Sequence, residues 1–105
     1  MRIAVPYDSG NIFPHFGKSK EFIIYDGNKT EIIKVEQGGH AAIANLLHEN
    51  KINVVLCTGI GAPAKEALSR YGIHVFNGVQ GNIDQRVKEY LSGKLEFDLN
   101  AMCKC

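Results

Sequence analysis

A histidine lies in the longest stretch of the chain without a helical or strand-like pattern. His15 belongs to the motif Pro-His-Phe-Gly at residues 14–17, within an aperiodic segment that covers residues 7–20. A neutral imidazole nitrogen in an exposed loop is a common metal ligand. Long loops in small domains are often functional. The sequence therefore makes His15 a candidate ligand, with a loop histidine that has no function as the simpler alternative.

The other three histidines are weaker candidates. His40 opens a predicted helix on the same stripe as Ile43 and Leu47, so it is either a half-buried packing residue or a second metal ligand. His48 falls off that stripe and is predicted to be solvated. His74 lies inside a predicted strand, where a structural role is expected.

The three cysteines fall into two groups. Cys57 ends an apolar run, where a buried and unreactive thiol is the usual finding. Cys103 and Cys105 are two positions apart, so in an extended tail both thiols point to the same side and could hold one soft metal. Closed zinc or iron–sulfur sites usually need four protein ligands, so a pair requires further ligands or a preformed cluster. The alternative is a tail with incidental thiols.

A glycine turn follows the same apolar run. Residues 59–64 fit the pattern G-x-G-x-x-A, with Gly59 and Gly61 before a predicted helix. Glycines there let the backbone approach a ligand, and amide groups at the start of a helix attract anions. A dinucleotide site also needs an acidic residue about 20 positions on, but the next carboxylate there is Asp84. The pattern indicates either a tight turn or a contact with an anion or a cluster.

These residues must be positioned by alternating strands and helices. The hydrophobic periodicity predicts five strands and three helices. The turn formers Asp-Gly-Asn at residues 26–28 predict a β-hairpin between the second and third strands. The predicted strands are residues 2–6, 21–25, 30–35, 53–57 and 73–76, and the predicted helices start near residues 40, 63 and 83.

This order predicts a mixed sheet with helices on its faces. Strand–helix–strand units form parallel pairs, so residues 2–5 and 53–57 should be parallel neighbours, with residues 21–25 antiparallel to the first strand. Ligands of such sheets bind beyond the carboxyl ends of the parallel strands. Residues 7–17, 58–63 and 77–82 should therefore gather at one end of the sheet.

Composition limits the class of protein. The 105 residues suit a single domain, and 12 basic against 11 acidic residues give a formal charge of +1, which does not indicate nucleic-acid binding. The apolar runs are too short to span a membrane, and no secretory segment is evident, so we expect a cytoplasmic protein. No G-x-S-x-G motif or set of strand-end carboxylates suggests a catalytic site, so we do not expect an enzyme.

Several motifs together resemble one family. The chain is similar to the dinitrogenase iron–molybdenum cofactor biosynthesis family, which consists of nitrogenase accessory proteins and small stand-alone relatives. The resemblance covers residues 2–96. It is carried by the opening Ile-Ala-Val-Pro, the Pro-His-Phe-Gly loop, the Gly-Ile-Gly turn, Gly72-Ile73, the loop from Gly78 to Gly81 and the segment Leu-Ser-Gly-Lys-Leu at residues 91–95.

The resemblance implies a ribonuclease H-like α/β/α fold of three layers around a five-stranded mixed sheet. It also implies a carrier of an iron–molybdenum cofactor, an iron–sulfur cluster or a precursor, with a cluster donor or acceptor protein as a further partner. The family's loop histidine corresponds to His15. Relatives have a longer stretch rich in glycine and histidine where this chain has only Gly38, Gly39 and His40. The tail cysteines are outside the recognised motif.

Two other functions remain open from the sequence. The glycine loops, including Gly59, Gly61, Gly78 and Gly81, could instead bind a small molecule or a nucleotide phosphate. The domain could also act only through contacts with other proteins. In the metallocluster hypothesis, the same glycines contact the anionic face of the cluster, and His15, His40, Cys103 and Cys105 are the candidate metal ligands.

Overall fold

The computed structural model describes residues 1–99, which form an α/β fold with three helices, six strands and one 3-10 turn. Three of the strands lie before residue 27, and the helices alternate with the last two strands. The strands are β1 (Arg2–Asp8), β2 (Asn11–Ile12), β3 (Glu21–Asp26), β4 (Lys29–Lys34), β5 (Val54–Leu56) and β6 (His74–Phe76); the helices are α1 (His40–Glu49), α2 (Ala62–Arg70) and α3 (Ile83–Leu91); the 3-10 turn is Phe16–Lys18.

The sheet is mixed, and β1 lies at its centre. Its order is β4-β3-β1-β5-β6, with β2 pairing separately with β1. β1 is parallel to β5, with Ile3 opposite Val54, and antiparallel to β3, with Ala4 opposite Ile24. The predicted pairings of the first strand are therefore confirmed. The sheet has six strands where five were expected, because the two-residue strand β2 is too short to produce a periodic pattern.

The predicted hairpin is confirmed. β3 and β4 pair antiparallel from Glu21 opposite Lys34 to Asp26 opposite Lys29, with no helix between residues 21 and 35. Gly27 has a φ of 62° in the connecting turn. A two-residue hairpin loop commonly needs a positive φ at its first central position, which glycine adopts without a steric cost.

The helices form a layer on each face of the sheet. α1 and α2 cover one face and bury Ile43, Leu47 and Leu68 against the sheet. α3 covers the other face through Ile83 and Val87. Side chains of a strand alternate between the two faces, so Ala4 of β1 belongs to the first cluster, whereas Ile3 and Val5 belong to the second. In the described part of the chain, none of the helices has the length and apolar character needed to cross a membrane.

The segment between β1 and β3 has more structure than the sequence indicated. Instead of an aperiodic loop, it contains β2 and the 3-10 turn. Ser9 and Gly10 link β1 to β2 with φ values of 51° and 90°. Two consecutive positive φ values are typical of the tightest hairpin loops. β2 pairs with the end of β1, Tyr7 opposite Ile12. Hydrogen bonds from Ile12 to Gly81 and from Phe16 to Gly59 join these short elements to distant loops, which a local sequence pattern does not reveal.

Candidate functional site

The three loops that were predicted to gather at one end of the sheet do so. We call this end the rim: residues 7–17, 58–63 and 77–82. The Phe16 N–H donates to the Gly59 carbonyl at 3.1 Å, and the Gly59 N–H donates to the Pro14 carbonyl at 3.1 Å. His15 and Gly59 thus form a parallel bridge. The loop that carries His15 is fastened to the turn after β5 by backbone groups.

The third loop is joined to both of the others. The Gly78 N–H donates to the Thr58 carbonyl at 2.8 Å, and the Thr58 hydroxyl donates to the Val79 carbonyl at 2.6 Å. On the other side, the Ile12 N–H donates to the Gly81 carbonyl at 2.9 Å. Each loop is therefore bonded to the other two. This closed set of hydrogen bonds gives the rim a defined shape.

His15 is exposed and is followed directly by a residue of the core. Phe16 is fully buried, and its ring meets that of Phe22 edge-on at 5.6 Å between centroids. The Phe13 ring lies edge-on to the imidazole of His15 at 6.1 Å between centroids. Burial of the neighbouring residue fixes the loop while the imidazole faces outward. Such a histidine can accept a ligand without a rearrangement of the core.

A cavity adjoins this histidine through Phe13. Its volume is about 410 Å³, and two aromatic rings and four polar side chains line it. The lining residues are Tyr7, Asp8, Ser9, Phe13, Lys20 and Glu21. The cavity lies on the β1 side of the rim, and the Phe13 ring lies between it and His15, which is not among the lining residues.

The glycines of the rim serve close contacts between the loops. The N–H groups of Gly59 and Gly78 donate to carbonyls of the protein itself. Gly78 has a φ of 78°, and a Cβ atom at this position would lie 2.6 Å from the Asp98 nitrogen. Gly81 has a φ of 102° and lies beside the Arg86 guanidinium. Gly61 is the N-cap residue of α2. The four glycines leave the surface of the rim without side chains at these positions. Two of their four N–H groups already donate to carbonyls of the protein itself.

Cys57 lies under the rim and not on it. Its side chain is fully buried, and burial raises the pKa of the thiol to about 12. A thiol with so high a pKa stays protonated at neutral pH and is a poor metal ligand. The prediction of a buried, inert cysteine agrees with this environment.

The remaining histidines do not belong to the three loops of the rim. His40 is the exposed first residue of α1, so the half-buried packing role considered for it is wrong. His48 is exposed, as predicted, and stacks on Tyr71 at 4.1 Å between centroids. His74 is exposed at the start of β6, at the end of the sheet opposite the rim. Within residues 1–99, no group of three or more histidine, cysteine or acidic side chains could hold a metal ion.

Comparison with known proteins identifies the family. The sequence profile described as "Dinitrogenase iron-molybdenum cofactor" matches residues 1–93, which include the whole rim. The chain belongs to this family. It is 30% identical to the uncharacterized protein MJ0580 of Methanocaldococcus jannaschii, over 91% of this chain and 90% of that protein. The family resemblance seen in the sequence is confirmed.

Two solved structures share the fold of this family member. The crystal structure of PH0822 is 34% identical with a TM-score of 0.86, and the match covers 95% of this chain and 98% of that one. The apo form of the orange protein from Desulfovibrio gigas is 25% identical with a TM-score of 0.83, covering 93% and 92% of the two chains. The family fold therefore extends over nearly the whole domain.

The segment after the family match returns to the rim. Residues 94–99 have no regular secondary structure, but the Asp98 N–H donates to the Asn77 carbonyl at 2.8 Å. The Phe97 ring meets that of Phe76 edge-on at 5.0 Å between centroids. The chain thus passes along β6 and reaches the rim at Leu99. Cys103 and Cys105 lie outside the described residues.

Two polar residues at this place were missed by the sequence analysis. Asn77 is fully buried, and Lys65 is half-buried on α2. The Lys65 ammonium donates to the Asn77 side-chain oxygen at 3.2 Å and to the Leu99 carbonyl at 3.1 Å. An asparagine before a glycine is the usual composition of a loop, so nothing in the local sequence indicated that Asn77 is buried.

Proposed function

We propose that this protein is a non-catalytic carrier of an iron–molybdenum cofactor, an iron–sulfur cluster or a precursor of either. The observation that carries the proposal is the exposed imidazole of His15. Backbone hydrogen bonds hold its loop against the glycine-containing loops of the rim. Membership of the dinitrogenase iron–molybdenum cofactor family supports this cargo. The orange protein was solved in its apo form, which is the form without a ligand, and this also supports a binding role.

The donor groups suit a cluster better than a single ion. The described residues supply one exposed imidazole at the rim, and no set of three ligands accompanies it within residues 1–99. In a preformed cluster, bridging sulfides already supply part of the coordination of each iron, so the protein must supply only the ligands that the cluster still lacks. His15 would supply one ligand, and the cavity of about 410 Å³ on the far side of Phe13 would accommodate part of a large cargo.

The tail thiols are the best candidates for further ligands. Leu99 lies at the rim, and Cys103 follows four residues later, so an extended chain would span up to roughly 14 Å between them. Neighbouring strands lie about 4.8 Å apart, which places the end of β6 about 10 Å from the loop of His15. We therefore propose Cys103 and Cys105 as the ligands that accompany His15.

His40 is a more remote candidate for the same site. β4 runs parallel to β1, because each is antiparallel to β3, so α1 begins at the end of the sheet where the rim lies. His40 is exposed there, beyond Gly38 and Gly39. A cargo large enough to extend from β1 toward β4 would contact it, whereas a single ion bound to His15 would not.

The alternative, a phosphate or nucleotide site in the glycine loops, is weaker. Such a site uses backbone N–H groups that point at the anion. The N–H groups of Gly59 and Gly78 instead donate to the carbonyls of Pro14 and Thr58. A cluster bound mainly through side chains does not need these amides, so the hydrogen-bond pattern favours a cluster over a phosphate.

The wider setting follows from the same proposal. A carrier needs a donor or an acceptor protein for its cargo, and we propose that this exchange takes place in the cytoplasm. The three-layer arrangement also supports assignment of the domain to the ribonuclease H-like architecture, although the sheet contains the additional strand β2.

The test is an anaerobic titration of the full chain with isolated iron–molybdenum cofactor, and separately reconstitution with ferrous iron and sulfide. Visible absorbance and metal content report binding. His15→Ala should weaken binding about tenfold, which corresponds to about 1.4 kcal/mol. The free energy of unfolding should change by less than about 0.5 kcal/mol, as expected for a surface position.

His74→Ala is the matched control, because His74 is also exposed but lies at the opposite end of the sheet. It should bind like the unmodified chain. Equal affinities of His15→Ala and His74→Ala would remove His15 as a ligand. A chain that stays colourless and free of metal in both experiments would refute the carrier function, and binding of inorganic phosphate by that chain would support the alternative.

A further inference from the structure

The segment after α3 crosses the carboxyl end of β6 as a strap. We use this name for residues 94–99, which have no regular secondary structure. The Phe97 ring packs edge-on against a ring of β6, and the Asp98 N–H donates to the Asn77 carbonyl at 2.8 Å. Asp98 also passes so close to Gly78 that a Cβ atom there would lie 2.6 Å from the Asp98 nitrogen. The strap therefore covers the rim loop that follows β6.

Under the strap, two donors converge on a single oxygen atom. The Leu99 carbonyl accepts from the Lys65 ammonium at 3.1 Å and from the Asn77 side-chain amide at 3.3 Å. The ammonium also donates to the Asn77 side-chain oxygen at 3.2 Å. This bond fixes the orientation of the amide, so its NH2 group and the ammonium face the same oxygen. Lys65 belongs to α2 and Asn77 follows β6, so regular elements of the fold position both donors.

The strap does not balance the charge of this donor pair. The two oxygens that Lys65 contacts belong to a side-chain amide and to a peptide group, and both groups are neutral. Within residues 1–99, no carboxylate forms an ion pair with the Lys65 ammonium. A carboxylate presents the same planar kind of oxygen as the Leu99 carbonyl and adds a negative charge. Its hydrogen bonds to the two donors would therefore be stronger than those of the carbonyl.

Two side chains of the strap bury little surface. Phe97 is 46% exposed and Leu99 is 49% exposed, whereas Leu68 of α2 and the Asn77 side chain are fully buried. Segments with few buried apolar contacts open locally at a low cost in free energy. Opening of the strap would therefore uncover the two donors while the core beneath them stays folded.

We propose that Lys65 and Asn77 form a binding site for a small molecule with a carboxylate group, and that the Leu99 carbonyl occupies this site until such a ligand displaces it. The ligand and the strap compete for the same two donors. The apparent affinity for the ligand is therefore reduced by the small fraction of molecules in which the strap is open. The site lies beyond the carboxyl end of a parallel strand, where ligands of such sheets bind. It requires no metal and is independent of the proposed carrier function.

The first experiment uses malonate as the probe, with the full chain free of metal. Proton–nitrogen correlation spectra, recorded at an ionic strength held constant with sodium chloride, report the Asn77 side-chain amide and the Asp98 N–H. Malonate should shift both signals in a saturable manner, because it replaces the Leu99 carbonyl and releases the strap. Lys65→Met removes the cation but keeps a side chain of similar length, and it should weaken malonate binding about tenfold. Lys88→Met, at an exposed lysine of α3, is the matched control and should bind like the unmodified chain.

A second variant keeps the test valid if Lys65→Met lowers the stability of the fold. Lys65→Arg retains a cationic donor and should bind malonate more tightly than Lys65→Met does. Equal malonate affinities for Lys65→Met and Lys88→Met would overturn the inference. So would spectra of the unmodified chain in which malonate causes no saturable shift of the Asn77 amide.

The second experiment tests the competition with the strap. Phe97→Ala removes the ring that packs on Phe76 but leaves both donors in place, so malonate should bind about threefold more tightly. Ile32→Ala is the matched control, because Ile32 is 47% exposed and lies on β4 at the other edge of the sheet. Equal affinities of the two variants would refute the competition. A chain that binds malonate through Lys65 but takes up no cluster would retain this site and lose the carrier function.

Discussion

The two ends of the sheet are held together in different ways. At the rim, the loops are joined mainly by backbone hydrogen bonds, such as those between Gly59 and its neighbours on either side. At the opposite end, backbone bonds such as that from the Asn53 N–H to the Arg2 carbonyl are supplemented by a group of charged side chains. Arg2 pairs with Asp26 and Glu31 at 3.0 Å each, and its Nε donates to the Asn50 carbonyl at 2.8 Å.

This difference separates stability from binding. Where backbone groups fasten a loop, its exposed side chains are available for a ligand, and their replacement should leave the fold intact. Where side chains fasten the chain, their replacement should cost stability and leave binding unchanged. Exposed side chains of the rim can therefore be replaced without loss of stability, whereas side chains at the opposite end cannot.

The sharpest test within the rim compares two adjacent residues. Phe16 is fully buried beside exposed His15, so Phe16→Ala should lower the free energy of unfolding by about 3–5 kcal/mol. Denaturation with urea, followed by circular dichroism, would measure this loss. His15→Ala, measured in parallel, should show almost none. Similar losses for both would mean that the loop depends on its side chains throughout, and the contrast between the two ends would disappear.

A second test concerns the two kinds of glycine at the rim. Gly78→Ala introduces a Cβ into contact with Asp98 at a φ of 78°, so it should cost about 1–3 kcal/mol and displace the tail. Gly10 has a φ of 90° but open space around a Cβ. Gly10→Ala should therefore show the cost of strain alone. Thermal unfolding of both variants would measure the difference. Equal losses of stability would show that residues 94–99 move away from the added Cβ at little cost.

The smallest effect is expected at the opposite end of the sheet. Arg2→Met removes two partly exposed ion pairs and one hydrogen bond to a carbonyl. The variant should therefore be less stable by about 1 kcal/mol. The loss should decrease at high salt because the ion pairs are screened. Cluster affinity should be unchanged. A variant with weakened binding and normal stability would contradict the division between the two ends.

Much of this fold was predictable from local patterns. The hairpin around Gly27 and helices α1, α2 and α3 follow from turn residues and apolar spacing within short windows. The gathering of the loops follows from strand order, because the parallel strands end on the same side. His15 was chosen as a candidate ligand because it belongs to a recognisable motif within a segment that has no periodic pattern.

The parts that were missed are either too short to show a period or depend on contacts between distant residues. β2 exists because Tyr7 and Asp8 pair with Ile12 and Asn11, and two residues cannot show a period. Residues 94–99 are placed by Lys65 and Asn77, which lie more than 20 positions away from Leu99. The exposure of His40 depends on where α1 begins relative to the sheet. None of these features leaves a signal in the sequence nearby.

The central place of β1 has a consequence for how the chain acquires its structure. β1 is the first strand of the chain, and β3 and β4 follow within 34 residues, so an antiparallel half-sheet needs only short loops to close. The parallel pairing of Ile3 with Val54 must wait until β5 is available. Closing a longer loop costs more chain entropy, so local hairpins should form before parallel pairs. During synthesis, the rim would therefore assemble late, after the strands that carry it.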